Sequence, residues 1–228
     1  MYSNKTLVGL GCSFTFGEYM GDYDPTTCHP RSWVRKLEVL VNFKDSVNLG
    51  APGGSNHRSE RVLLEYLKKN SKDIVVIFSI TELSRFETVN IENWTEDNDG
   101  LRAFNREGSW GLYENDKKKK EFLEYFYSRL TNKEVELQTI NRKVLMIHSL
   151  LKSMNIEHYF FEMMAEPGSI IINQLGFTIP MIKFPNNSNA TDWMYRFFPR
   201  GSCRHFDHDA NQALAEYLFN QINIIKGN

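Results

Sequence analysis

Long apolar runs are missing from this sequence. The longest, such as Ile74-Val75-Val76-Ile77-Phe78, fall far short of the roughly 20 residues that cross a bilayer as a helix. The opening Met1-Tyr2-Ser3-Asn4-Lys5-Thr6 has no apolar signal-peptide core, so a cytosolic protein without membrane attachment is expected. Cysteine is scarce: Cys12, Cys28 and Cys203 are three in number and widely spaced, which excludes a disulfide framework and gives no zinc-ligand cluster. A reducing compartment fits. A charge of one sign is also lacking. With 27 basic and 28 acidic residues the formal net charge is -1, so the chain carries no global electrostatic footprint for nucleic acid or anionic lipid. The one basic run, Lys117 to Lys120, reads as a solvated helix start rather than a phosphate patch.

What is present is the mixture of an ordinary globular protein, 41% hydrophobic and 24% charged. At 228 residues one sizeable core is expected, and the whole of 1–228 reads as a single domain without internal repeats. Thr6-Leu7-Val8-Gly9-Leu10-Gly11 is a short apolar run ending in glycine, the pattern of a buried parallel strand stopping at a loop. A second strand is expected at Ser46 to Leu49. The densest turn signal in the chain, Gly50-Ala51-Pro52-Gly53-Gly54-Ser55-Asn56, closes it. Val62, Leu63, Tyr66 and Leu67 share one helical face and lead to a strand at Ile74 to Phe78.

Val144 to Met154 then predicts a helix, Glu157 to Glu162 a strand, and Ala210 to Ile222 a surface helix with Ala213, Leu214, Tyr217, Leu218 and Ile222 on its stripe. Strands alternating with helices predict an α/β fold with a parallel sheet and right-handed crossovers. The stretch from about 87 to 140 is too long for an ordinary connection and reads as an insertion with helices of its own. Phe122, Leu123, Tyr125, Phe126 and Leu130 suggest one helix, whereas Trp94, Phe104, Trp110 and Tyr113 fall in a loop-like stretch. Those aromatics suit local core better than a ligand platform.

Three places carry candidate chemistry. Ser13, in Gly11-Cys12-Ser13-Phe14-Thr15-Phe16-Gly17, lies just past the first strand, where an α/β nucleophile is exposed at the carboxyl edge of the sheet; a helix N-cap is the alternative reading. The glycine loop after the second strand would put backbone N–H groups on the same edge as oxyanion donors, or else is a plain turn; no Gly-Lys-Ser/Thr follows, which disfavours a phosphate-binding loop. His205, in Gly201-Ser202-Cys203-Arg204-His205-Phe206-Asp207-His208-Asp209, precedes the last helix and is placed to fold back toward Ser13 as a base. Metal ligation by His205 and His208 with Asp207 and Asp209 is the competing reading. His29, His57, His148 and His158 read as surface or core residues.

In this order and at these distances from the termini, the three elements resemble the SGNH (GDSL-like) hydrolase family across nearly the whole chain. Gly11, Ser13 and Gly17 match its first block, with Cys12 where the family usually has aspartate. Asn48, Gly50 and Gly53 match the second. The third, Gly-x-Asn-Asp, is replaced by Ser79-Ile80-Thr81-Glu82, which puts Thr81 at the position of an oxyanion asparagine. The last, Asp-x-x-His, aligns on His205, with Ser202 where the aspartate would stand. The Gly-Cys-Ser-Phe-Thr opening and Ile80-Thr81-Glu82-Leu83-Ser84-Arg85-Phe86-Glu87 look like a variant encoded by bacteriophages and bacteria, which for a phage protein would mean the host cytoplasm.

The resemblance implies a three-layer α/β/α flavodoxin-like fold and an esterase or acetylesterase acting on a small-molecule or glycan ester. Ser13 would be the nucleophile and His205 the base. The backbone of Ser13 and Gly53, with Thr81, would form the oxyanion hole, and no metal or organic cofactor is called for. Asp207, Ser202, Cys203, Arg85 and Asn56 are the supporting candidates, Asp207 as a substitute for the missing aspartate. The changes at Cys12, Thr81 and Ser202 also motivate a second reading, a binding or regulatory protein that keeps the fold without hydrolysis.

Overall fold

Side chains alternate across a strand, so a strand buried on both faces sends successive residues into two different cores. The computed structural model, which describes residues 2–17, 32–89, 101–104, 121, 125, 132–171, 176–198 and 205–227, shows this directly. In chain order the elements are β1 (Thr6–Leu10), α1 (Ser13–Phe16), α2 (Trp33–Val41), β2 (Asp45–Asn48), α3 (Asn56–Leu67), β3 (Ile74–Ile80), β4 (Phe86–Val89) and β5 (Leu101–Phe104). They continue with α4 (Lys133–Ser153), β6 (Glu157–Glu162), β7 (Met181–Ile182), α5 (Ala190–Met194) and α6 (His208–Lys226). Five of the strands form one sheet in the order β2-β1-β3-β6-β7, and every pairing in it is parallel.

Leu7, Val75, Ile77, Tyr159 and Phe161 point to one face, where Trp33, Val34 and Leu37 of α2 and Ala210, Leu214 and Leu218 of α6 cover them. Val8, Leu10, Val76, Phe78, Ile80 and Phe160 point to the other, against Leu63 and Leu67 of α3 and Ile140, Val144, Ile147 and Leu151 of α4. The three-layer α/β/α arrangement follows from this alternation. Each fully buried Leu, Ile or Phe contributes about 1.5–3 kcal/mol of transfer free energy, so both helix layers are held mainly by apolar burial. Among the described residues no helix is long and apolar enough to cross a membrane.

The structure departs from the sequence reading in the middle of the chain. Helix α4 begins at Lys133, with Asn132 as its N-cap accepting from the Glu134 and Val135 N–H groups. Its first turns are polar and exposed, so the apolar stripe that signals a helix starts only at Ile140. The expected insertion therefore loses its last residues to this helix. In its first part β4 and β5 pair antiparallel, Phe86 opposite Phe104, as a two-stranded sheet where Phe104 was expected in a loop. Trp94, Trp110, Tyr113, Lys117 to Lys120 and most of the expected helix near Phe122 to Leu130 fall outside the described residues; Glu121 and Tyr125 are helical and exposed.

The sheet order creates a switch point. From β1 the chain moves to β2 on one side, and the later strands β3, β6 and β7 build out on the other. Loops leaving the carboxyl ends of β1 and β3 diverge there, which opens a crevice. Ser13 follows β1 at that crevice.

Candidate active site

The turn that presents Ser13 is built from close backbone packing. Gly11 has φ 154, and a Cβ on it would sit 1.9 Å from Ser79 Oγ and 2.4 Å from Thr15 Oγ1. Those two hydroxyls bond each other at 2.8 Å, and Ser79 Oγ donates to the Leu10 carbonyl, also at 2.8 Å. The chain then enters α1 with Cys12, not Ser13, at the N-cap. The Ser13 hydroxyl is thus not used as a cap. It lies 2.9 Å from His205 Nε2, across 192 positions of sequence, and Ser13 as a whole is only 5% exposed.

His205 is positioned by its neighbours toward the last helix. Its ring rests on Phe14, with centroids 4.9 Å apart, and Phe206 packs on the same Phe14 at 4.7 Å and on Tyr195 at 5.7 Å. Asp207 caps α6: its Oδ1 accepts the Ala210 N–H at 2.8 Å, and its carbonyl accepts the Asn211 side-chain amide at 2.9 Å. Asn211 Oδ1 in turn accepts the Trp33 N–H at 3.0 Å, tying α6 to α2. The carboxylate proposed from sequence to orient His205 is therefore engaged with the helix, and among the described residues it makes no bond to the imidazole. Ser202 and Cys203 lie outside the described residues.

The other histidines are elsewhere. His208 is exposed at the surface, with Nε2 at 2.7 Å from Lys36 Nζ and Nδ1 at 3.3 Å from Asp209. Among the described residues no group of three His, Cys, Asp or Glu is arranged to hold a metal ion. His148 and His158 contact each other at 2.8 Å between α4 and β6, and burial lowers the pKa of both.

The glycine loop lies against the Ser13 turn. Asn48 Nδ2 donates to the Thr15 carbonyl at 2.6 Å, and Asn48 Oδ1 accepts the Gly50 N–H at 3.0 Å. The Ala51 N–H reaches the Gly11 carbonyl at 3.2 Å, and the Gly54 N–H closes a turn onto Ala51 at 2.9 Å. Pro52 and Gly53 occupy its centre, with Gly53 at φ 64, the positive value a type II turn asks of its third residue. A Cβ on Gly54 would lie 2.8 Å from the Gly11 oxygen and 3.4 Å from Cys12 Cα, so this loop touches the nucleophile turn backbone to backbone. Among the described residues neither the Ser13 nor the Gly53 N–H has an acceptor.

Beyond β3, Thr81 is wholly buried and its backbone is held at both ends by one side chain. Asn56 Oδ1 accepts the Thr81 N–H at 2.9 Å, and Asn56 Nδ2 donates to the Thr81 carbonyl at 3.2 Å. Asn56 thereby locks the end of β3 to the start of α3. The Thr81 hydroxyl faces Met164 Sδ at 4.0 Å, and Arg85, 7% exposed, reaches the same sulfur from Nη2 at 3.5 Å. Met164 is a residue that sequence reasoning missed. Its only signal was position, two residues past the end of β6 on the sheet edge that carries Ser13. Glu162, the last residue of β6, fixes the loop beyond by accepting the Gly168 N–H at 3.2 Å and the Ile170 N–H at 3.3 Å. Burial raises its pKa in spite of those bonds.

No protein-family model and no curated protein sequence matches the chain. Solved structures do. The psychrotrophic esterase EstA from Pseudoalteromonas sp. superposes with a TM-score of 0.56 at 11% identity, over 98% of this chain and 100% of its own. TesA gives 0.52 at 10% identity, over 97% of this chain and 99% of its own. A member of the lipolytic G-D-S-L family from Veillonella parvula gives 0.51 at 11% identity, over 95% and 97% respectively. At such identities the likeness is one of architecture over nearly full length. The chain has the α/β/α fold of the GDSL, or SGNH, lipolytic proteins and esterases.

Proposed function

We propose that this protein is a serine esterase of the SGNH type, cleaving an ester or O-acetyl group through an acyl-enzyme at Ser13. The observation that carries the reading is the 2.9 Å contact between Ser13 Oγ and His205 Nε2 in the crevice at the strand ends. The Ser13 hydroxyl donates to Nε2; as Oγ attacks the ester carbonyl, the proton passes to the imidazole and the carbonyl oxygen takes the negative charge. The N–H groups of Ser13 and Gly53, with Thr81 as third candidate, receive that oxyanion. Collapse expels the alcohol, which takes the proton from His205. Water then repeats the sequence on the acyl-enzyme, releasing the acid and restoring Ser13. No step requires a metal or an organic cofactor.

The fold neighbours support the reaction class. EstA is described as a psychrotrophic esterase, in a structure inhibited by monoethylphosphonate. For this chain the substrate class is a small-molecule or glycan ester. The test is fluorophosphonate labelling together with turnover of p-nitrophenyl acetate and acetylated sugars. Wild type is expected to label and turn over, and Ser13→Ala to do neither. Equal turnover by the two would sink the mechanism, and an inert wild type would favour the binding-protein reading that the changes at Cys12, Thr81 and Ser202 suggest.

A further inference from the structure

Three potential donors of the site converge on one atom. Met164 Sδ lies 4.0 Å from Cys12 Sγ, 4.0 Å from Thr81 Oγ1 and 3.5 Å from Arg85 Nη2. A thioether is a weak acceptor, so this sulfur returns little of what those groups lose on leaving water. Arg85 is the most poorly served. Its Nε is 3.4 Å from Glu82 Oε2 and its Nη1 is 3.4 Å from the Gly54 carbonyl. Ordinary N–H···O bonds are about 2.7–3.2 Å long and charge-assisted ones are at the short end. A guanidinium buried to this depth normally has a close bidentate anion. Among the described residues none of its contacts is of that kind.

We propose that Arg85 is the third oxyanion donor of the esterase, in place of the amide that the family pattern puts at position 81, and that Met164 holds its place in the resting protein. The proposal rests on the hydrolytic reading above. Thr81 is ill suited to the task because its backbone is clamped by Asn56 and its hydroxyl is short. Arg85 has the reach. One nitrogen lies on the Gly54 carbonyl, in the loop that carries Gly53, and another lies on the sulfur that touches Cys12, the residue before the nucleophile. As the ester carbonyl becomes a tetrahedral alkoxide, Nη2 exchanges the sulfur for the charged oxygen. The thioether moves aside, the guanidinium keeps its proton, and no bond at either residue is made or broken. A cation in a buried site stabilises a developing anion more than a neutral hydroxyl does. The carbonyl is neutral in the ground state, so the effect falls on kcat and spares KM.

The experiment measures kcat and KM on p-nitrophenyl acetate for wild type, Arg85→Lys, Arg85→Gln, Arg85→Ala and Thr81→Val, each checked for folding by circular dichroism. Arg85→Gln is expected to lower kcat by about 100-fold with KM within about threefold, the size of a lost oxyanion donor. Arg85→Lys recovers part of that loss, and Thr81→Val costs at least about ten times less than Arg85→Gln. Because removal of a buried side chain also loosens structure, Arg85→Ala is assayed with added guanidinium chloride at tens of millimolar. Restoration of kcat by about tenfold or more marks a missing donor, which a structural role would not show. An active wild type whose folded Arg85→Gln variant keeps its kcat overturns the role of Arg85 alone. So does a failure of guanidinium rescue, or a larger loss in Thr81→Val than in Arg85→Gln. A wild type that neither labels nor turns over overturns the hydrolytic reading and this proposal together.

Discussion

The two ends of the sheet treat buried charge in opposite ways. At the amino end Glu157 has donors on every side. The Tyr2 hydroxyl, Tyr159 at 2.8 Å and Lys226 at 2.9 Å meet its Oε1, and Lys5 meets Oε2 at 3.1 Å. Burial alone would raise this carboxyl, but the bonds from Tyr2, Lys226, Tyr159 and Lys5 outweigh it and hold it at about 2. Burial and the facing Glu157 push the Tyr159 hydroxyl up. At the carboxyl end Arg85 is more deeply buried and, among the described residues, has only long contacts. A satisfied charge of the first kind ties structure together: it pins the N-terminal segment, β6 and the end of α6 to one another. A charge of the second kind is built for a partner that arrives with the reaction.

Four substitutions probe that contrast. The largest effect is expected at the carboxyl end, where His205→Asn removes the proposed base and is expected to lower kcat by about 10³–10⁴-fold while the thermal midpoint stays within about 3 °C. A matching collapse in stability would mean that the imidazole is structural. At the amino end the outcome reverses. Glu157→Gln is expected to cost about 3 kcal/mol of stability and leave kcat unchanged, as urea unfolding and steady-state assays would show. The pH dependence has a definite sign. The folded carboxyl sits near 2 against an ordinary 4.5, so its contribution is complete above the ordinary value and is lost as pH falls toward 2. Acid titration of the unfolding free energy should be shallower in Glu157→Gln than in wild type.

Gly54→Ala sharpens the comparison from the backbone side. Its Cβ would meet the carbonyl oxygens of Gly11 at 2.8 Å and Ala51 at 3.0 Å, neither of which can swing away as a flexible side chain would. A loss of about 1–3 kcal/mol is expected, with a fall in kcat as the Gly53 N–H shifts. Stability and turnover unchanged together would show that the loop can relax without affecting the site. The smallest effect belongs to Asp207→Asn. Asparagine caps a helix as well as aspartate does, so stability is expected within about 0.5 kcal/mol of wild type and kcat within about threefold. A fall of several powers of ten would restore Asp207 as the group that orients His205.

Much of the fold was legible because parallel strands buried on both faces are continuous apolar runs. The run Ile74 to Phe78 lies inside β3, and Glu157 to Glu162 is β6 from end to end. Helix α2 escaped notice because its core contribution is carried by Trp33, Val34 and Leu37 within two turns, with Val39 and Leu40 exposed. Strand β7 is two residues long, below any period that a pattern can show. In the candidate site, the positions of Ser13 and His205 were legible because each stands at a boundary with a local signature, glycines after a strand and a capped helix start. Asp207 stands at such a boundary too. Aspartate before a helix is a capping signal, and the cap is where its oxygen is spent.

Local chemistry along the chain thus determined where strands end, where helices begin, and which polar residues stand at those ends. Whether those residues meet was decided by the order β2-β1-β3-β6-β7, since strand pairing depends on contacts between segments far apart in sequence. Placing β6 beside β3 brings Met164 to Cys12, Thr81 and Arg85, residues from two other stretches of chain. No local pattern encodes that meeting, because the sulfur acquires its neighbours only when the sheet is assembled.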